Sequence, residues 1–188
     1  MTAWAINTKA ESALREALAA VSRLEIDQIE PALDVLDERE LGEALGLAVL
    51  ITGYVAVDAC GTEWPTQHSI QRIADSLTRV GTITKQLQLD SGKIYQFLSR
   101  VVLGPDPLDE FFKPEDPEFA RFPIIVAHQA TGVYCPREIG IWDYLDQIES
   151  AIEAAGVLQS TVLPAALLRS YLPSSKSGVR LRGRQEGR

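Results

Sequence analysis

Ala44 to Val57 is an unbroken stretch of fourteen residues without a charged side chain. Acids close it at both ends, with Glu40 and Glu43 before it and Asp58 after it. A membrane-spanning helix needs about 20 apolar residues, so the stretch is too short for that role and no membrane segment is expected. Asp37 is a good N-cap, and Glu38 and Glu40 suit the positive end of a helix dipole. A helix over Asp37 to Ala59 follows, stopped by Gly61. From Leu45 onward it is apolar nearly all round, so neighbours must wall it in on several sides. Gly42, Gly46 and Gly53 weaken it as an isolated helix and offer places for another helix to come close.

The rest of the chain supplies that wall. Thr8 to Leu24 reads as a first helix, with Thr8 and Glu11 in a capping-box pattern. Ala10, Ala13, Leu14, Ala17, Leu18 and Val21 follow its apolar period. Ile26, Ile29, Leu33 and Leu36 continue that period. Pro31 within it either opens a second helix in its first turn or kinks a longer one. Thr66, after the turn Trp64-Pro65, caps a helix to about Val80 with Ile70, Ile73, Ala74, Leu77 and Val80 on one face. Thr82 to Leu89 fits helix or short extended structure. Asp90 or Ser91 caps the next helix, Gly92 to Leu103, with Ile94, Phe97, Leu98, Val101 and Val102 inward. Ile124 to Val133 is strand-like at Ile124-Ile125-Val126 yet compatible with a buried helix, and periodicity does not decide so short a run. Gly140 to Ala155 is amphipathic, with Ile141, Tyr144, Leu145, Ile148, Ile152 and Ala155 inward. A last helix is read at about Leu163 to Tyr171, with Pro164 at its start.

Between these segments the texture changes once. Residues 104–123 hold five of the ten prolines and four of the five phenylalanines, with six acids against two bases. A long loop is expected there. A shift of 75 residues also lays Cys60 on Cys135, Glu63 on Glu138 and Gly81 on Gly156. It suggests a pseudo-repeat of about 44–81 and 119–156, each half an apolar segment ending in Cys followed by an amphipathic helix. The fold class expected is all-α: a multi-helix bundle or short array of helical hairpins, about six to eight helices. The chain divides into a single helical domain, 1–173, and a basic flexible tail, 174–188, whose composition would leave it disordered in isolation.

Charge is segregated along the chain. The net charge is −8. Residues 1–173 carry 13 Lys and Arg against 25 Asp and Glu, a balance of −12, whereas residues 174–188 carry five bases against Glu186, a balance of +4. An acidic body argues against a nucleic-acid-binding face on the folded part, and leaves the tail as the only segment able to hold phosphate by charge. Such a body attracts a basic protein, and the tail an acidic surface, including that of a second copy. No charged segment followed by an apolar run opens the chain, so no signal peptide is read there. A cytoplasmic location with both thiols reduced is the expectation.

Chemistry-bearing patterns are sparse. Cys60 and His68 lie eight apart and His128 and Cys135 seven apart, outside the short spacings that let zinc ligands share a turn. The two Cys/His pairs carry no orienting third group in sequence. Asp106, Asp109, Glu110, Glu115, Asp116 and Glu118 could act as acids or oxygen ligands, but in a Pro-rich loop solvated charge is the default. The sequence holds no phosphate-cradling glycine loop, serine elbow or HExxH. No catalytic residue, metal or cofactor is assigned.

Interaction is the function class that remains. Trp64, Phe111, Phe112 and Phe119 are candidate apolar anchors, Asp109 and Glu110 orient a partner, and Arg180, Arg182 and Arg184 fall on one side of an extended strand of tail. The expected activity is a non-catalytic helical protein acting as an inhibitor or immunity-type protein, or as an adaptor, that masks or bridges a partner. Two alternatives stand beside it: a connector subunit of a phage-like or other particle, and a small enzyme with a site in loop 104–123 or near His128.

Overall fold

A computed structural model describes residues 6–61, 64–80, 90–104 and 120–155. Among them the chain forms seven α-helices and one 3-10 turn, with no strand, as an all-α bundle. They are α1 (Thr8–Ser22), α2 (Ile29–Leu33), α3 (Glu38–Ala59), α4 (Gln67–Val80), α5 (Ser91–Leu103), α6 (Arg121–Tyr134) and α7 (Ile141–Ala155). The turn Ile26–Gln28 joins α1 to α2. The Pro-rich segment from 105 to 119, the ambiguous Thr82 to Leu89, the helix read at Leu163 to Tyr171 and the basic tail lie outside the described residues.

The uncharged stretch is the axis of the bundle. α3 is buried at Ala44, Leu45 and every residue from Leu47 to Val57, and α1, α4, α5, α6 and α7 all pack on it. Among the described residues α3 alone is long and apolar enough to cross a membrane, and 61% of its most apolar window is covered by the protein itself. Its start is a full capping box: the Asp37 carboxylate accepts from the Glu40 amide at 2.8 Å, and the Glu40 carboxylate accepts from the Asp37 amide at 3.0 Å. Gly61 ends it with φ +64°, a backbone that favours glycine.

Close approach is needed at only one of the three glycines inside α3. A Cβ on Gly53 would stand 2.9 Å from Val101 Cγ1 on α5, whereas nothing lies within 4 Å of one on Gly42 or Gly46. Gly53 is therefore where α5 comes close to the central helix.

Two readings are corrected. α1 is capped by Asn7, not Thr8: the Asn7 Oδ1 accepts from the amides of Lys9 at 3.0 Å and Ala10 at 3.4 Å. Asn7 also reaches α3, donating from Nδ2 to Glu43 at 2.7 Å, a tie Thr8 does not offer. The expected loop 104–123 ends early, because α6 begins at Arg121 and takes in Phe122 and Pro123. Pro123 sits in the first turn, where its missing N–H costs no intrahelical bond. Phe122 is buried edge-on against Phe97, with ring centroids 5.4 Å apart and planes at 78°. The choice between strand and helix at Ile124 to Val133 falls to helix. α6 is buried from Phe122 to Ala127 and again from Gln129 to Thr131, and it lies along α3. The Thr52 and Thr131 hydroxyls donate to carbonyls one turn back, so two threonines in the core remain satisfied.

Pro31 opens α2 within its first turn, the first of its two readings. Asp90 caps α5 by accepting from the Gly92 amide at 3.0 Å. Thr66 and Ser69 cap α4 reciprocally, each side-chain oxygen accepting from the other's amide, at 3.1 and 2.8 Å.

Candidate functional site: the acidic face of α1 and α7

α7 has four acids, Asp143, Asp146, Glu149 and Glu153, and no base. Its apolar side, Tyr144, Leu145, Ile148 and Ile152, is buried. The opposite side holds Trp142, Asp143, Asp146 and Glu153 in solvent. Trp142 is 40% exposed and stands one turn before Asp146, so an aromatic ring and a carboxylate share one strip of helix surface.

α1 lies beside this strip. The two helices are joined by long side chains, and an open groove lined by Thr8, Glu11, Ser12, Arg15, Glu16 and Asp146 runs along the join. Arg15 is its centre. Its guanidinium donates to Asp146 at 2.5 Å and to Glu149, and its Nε lies 3.0 Å from Glu11 on its own helix. Burial opposes it, yet Asp146 and Glu149 hold the Arg15 guanidinium more firmly protonated than usual. The Ile6 amide adds a bond to Glu153 at 3.0 Å.

Glu149 differs from its neighbours. It is only 6% exposed, and Oε1 has no hydrogen-bond partner among the described residues. Burial pushes its carboxyl up to about 7, against the pull of Arg15, with Glu11 and Asp146 adding repulsion. One guanidinium divided among three carboxylates does not compensate a buried charge.

Across the two helices six acids face two bases, Lys9 and Arg15. Lys9 is committed to Glu40 on α3 at 2.5 Å and Arg15 to the groove's own acids. The face is therefore negative, with its cations already engaged.

The first turn of α7 is tied to the end of α3 by a tyrosine. Tyr144 donates from Oη to Asp58 at the end of α3, at 3.2 Å. Burial pushes the Asp58 carboxyl up, and the Tyr144 hydrogen bond offsets part of that shift. Tyr54 is pushed up to about 12 by burial and by Asp58.

Among the described residues no hydrogen bond joins a cysteine to a histidine. Cys60 and Cys135 are free thiols at the C-caps of α3 and α6, the negative ends of both helices. Burial, with Asp143 nearby, pushes the Cys135 thiol up, away from a reactive thiolate. His68 is exposed in the first turn of α4. His128 pairs with Ser22 instead, Nε2 to Oγ at 2.8 Å, and its buried Nδ1 has no hydrogen-bond partner among the described residues. A serine nucleophile needs its base oriented by a third group, and that position is empty of any described partner. No group of three or more His, Cys, Asp or Glu suited to a metal occurs among the described residues.

Of the anchors read from sequence, Trp64 stands at the surface before α4, 56% exposed. Asp109, Glu110, Phe111, Phe112, Phe119, Arg180, Arg182 and Arg184 lie outside the described residues. Trp142 and its acidic strip were missed, although the base-free composition of α7 was a usable signal. The Arg15–Glu149 contact joins residues 134 apart and leaves no mark in either local sequence. No protein-family model, curated protein or solved structure matches the chain.

Proposed function

We propose that the protein is a non-catalytic helical interaction protein of the inhibitor or immunity type, whose acidic α1–α7 face covers a basic partner. The observation that supports this reading best is the outer strip of α7. It sets Trp142 beside Asp143 and Asp146 with no base on the helix. Exposed tryptophans supply much of the energy of protein interfaces, and surrounding charge sets encounter rate and orientation. The groove's own cations are spent internally, so the face offers net negative charge to a newcomer. An adaptor role through Arg180, Arg182 and Arg184 remains a proposal from sequence, and it is compatible with the same face.

The test is association with a basic protein recovered on the immobilised full chain. The expected complex is 1:1, and its association rate falls about tenfold or more between about 0.05 and 0.5 M salt. Trp142→Ala is expected to weaken it by about 2 kcal/mol, some 30-fold. Recovery of no basic protein, or a salt-independent rate with full affinity in the Trp142 variant, would overturn the reading.

A further inference from the structure

α1 meets its neighbours through two ionisable contacts of different kinds. Near its middle, Arg15 holds the buried Glu149 of α7. At its last residue, Ser22 meets His128 of α6. The Ser22 Oγ also lies 3.2 Å from the Leu18 carbonyl, which can accept the hydroxyl proton. The network then assigns His128 as neutral, donating from Nε2 to Ser22 and leaving a bare lone pair on the buried Nδ1. The opposite tautomer would bury an N–H on Nδ1 without an acceptor, which costs more.

We infer that α1 is a proton-operated clamp with two ends, held to α7 by a buried carboxyl that docks better once protonated and to α6 by an imidazole whose docking a proton opposes.

The physical reason differs at each end. Glu149 faces Arg15 and Glu11 from α1 and Asp146 from its own helix, so adding a proton removes a buried charge that Arg15 only partly balances. Among the described residues the His128 ring hydrogen-bonds only to the Ser22 hydroxyl, and no charged group there shapes its titration. Protonating it places a cation and an unanswered N–H at a half-buried site. Burial alone lowers its affinity for a proton.

The signs follow from linkage. A carboxyl raised to about 7 burdens the fold fully above that pH, and the burden fades as pH falls toward the ordinary carboxyl range. A histidine lowered from 6.5 supports the fold fully above 6.5, and that support fades as pH falls. Just below 6.5, where the histidine slope begins, the two slopes oppose one another in the intact chain. The clamp holds whether or not the α1–α7 face takes a partner, and its test uses no partner.

Urea unfolding of the full chain at a series of pH values between about 4.5 and 8 separates the ends. Wild type is expected to show a shallow profile through the opposed window. Glu149→Gln removes one slope, so its unfolding constant should rise on acidification from about pH 7 to 5. His128→Asn removes the other, and its unfolding constant should fall over the same range. Profiles parallel to wild type in both variants, or slopes of the reverse sign, overturn the inference. Direct NMR titration of wild type guards against a variant that does not fold. It should find the Glu149 carboxyl titrating above the ordinary carboxyl range and His128 below the ordinary histidine value, with His68→Gln assigning the two imidazoles. Ordinary values for both Glu149 and His128 would equally overturn it.

Discussion

Gly53 and Gly46 occupy the same helix and should answer the same substitution in opposite ways. Alanine at Gly53 places a Cβ 2.9 Å from a Val101 methyl that is itself buried and stiff at χ1, so α5 must move or Val101 must leave its rotamer. We expect Gly53→Ala to destabilise by about 1–3 kcal/mol in urea unfolding. At Gly46 a Cβ meets nothing within 4 Å, and better helix propensity should stabilise by about 0.5–1 kcal/mol. Sequence marked both glycines as weak points of α3 but held no clue to which one faces a neighbour, because the difference lies in Val101, 48 residues away (101 − 53). The same limit applies at the start of α1. Thr8 and Asn7 are both competent caps, and what selects Asn7 is its second bond, to Glu43 on α3. Asp37 had no such rival, and its capping box was legible in full.

At the scale of elements, the helices with one apolar stripe were legible from period alone. α4, α5 and α7 bury the side that spacing selects, because a single stripe leaves one way to dock. α6 was not decidable, because it is apolar on several sides and a helix packed along α3 needs no polar face over most of its length. Ile124-Ile125-Val126 favours strand only on a pleated surface with partners, and the described residues offer none. α7 is held at its first turn by the Tyr144 hydroxyl on Asp58. Tyr144→Phe removes that donor and leaves the half-buried carboxylate short of a partner. We expect a loss of about 1–3 kcal/mol where Asp58 is ionised. The Asp58 carboxyl is already raised by burial and should rise further, so the loss should be larger near pH 8 than near pH 4. Equal losses at both pH values would show that the hydroxyl does not act on the ionised carboxylate.

For the whole molecule, the segregation of charge along the chain, −12 against +4, was plain in the sequence. Where the acids gather in space was not. α7 is unbroken by any base and α1 brings Glu11 and Glu16 to its side, yet the two helices are 118 residues apart (141 − 23) along the chain. Their meeting depends on α3, on which both pack. The proposed function rests on that face, so the most direct measurement compares charge reversal inside it with charge reversal elsewhere. Asp143→Arg lies on the outer strip of α7 beside Trp142, and Asp34→Arg lies on the exposed end of α2. Association with the recovered basic partner is measured by stopped flow at low salt for both variants and wild type. The account predicts that Asp143→Arg slows association about tenfold or more while Asp34→Arg stays within about twofold of wild type. Equal slowing by the two reversals, or none from Asp143→Arg, would contradict it.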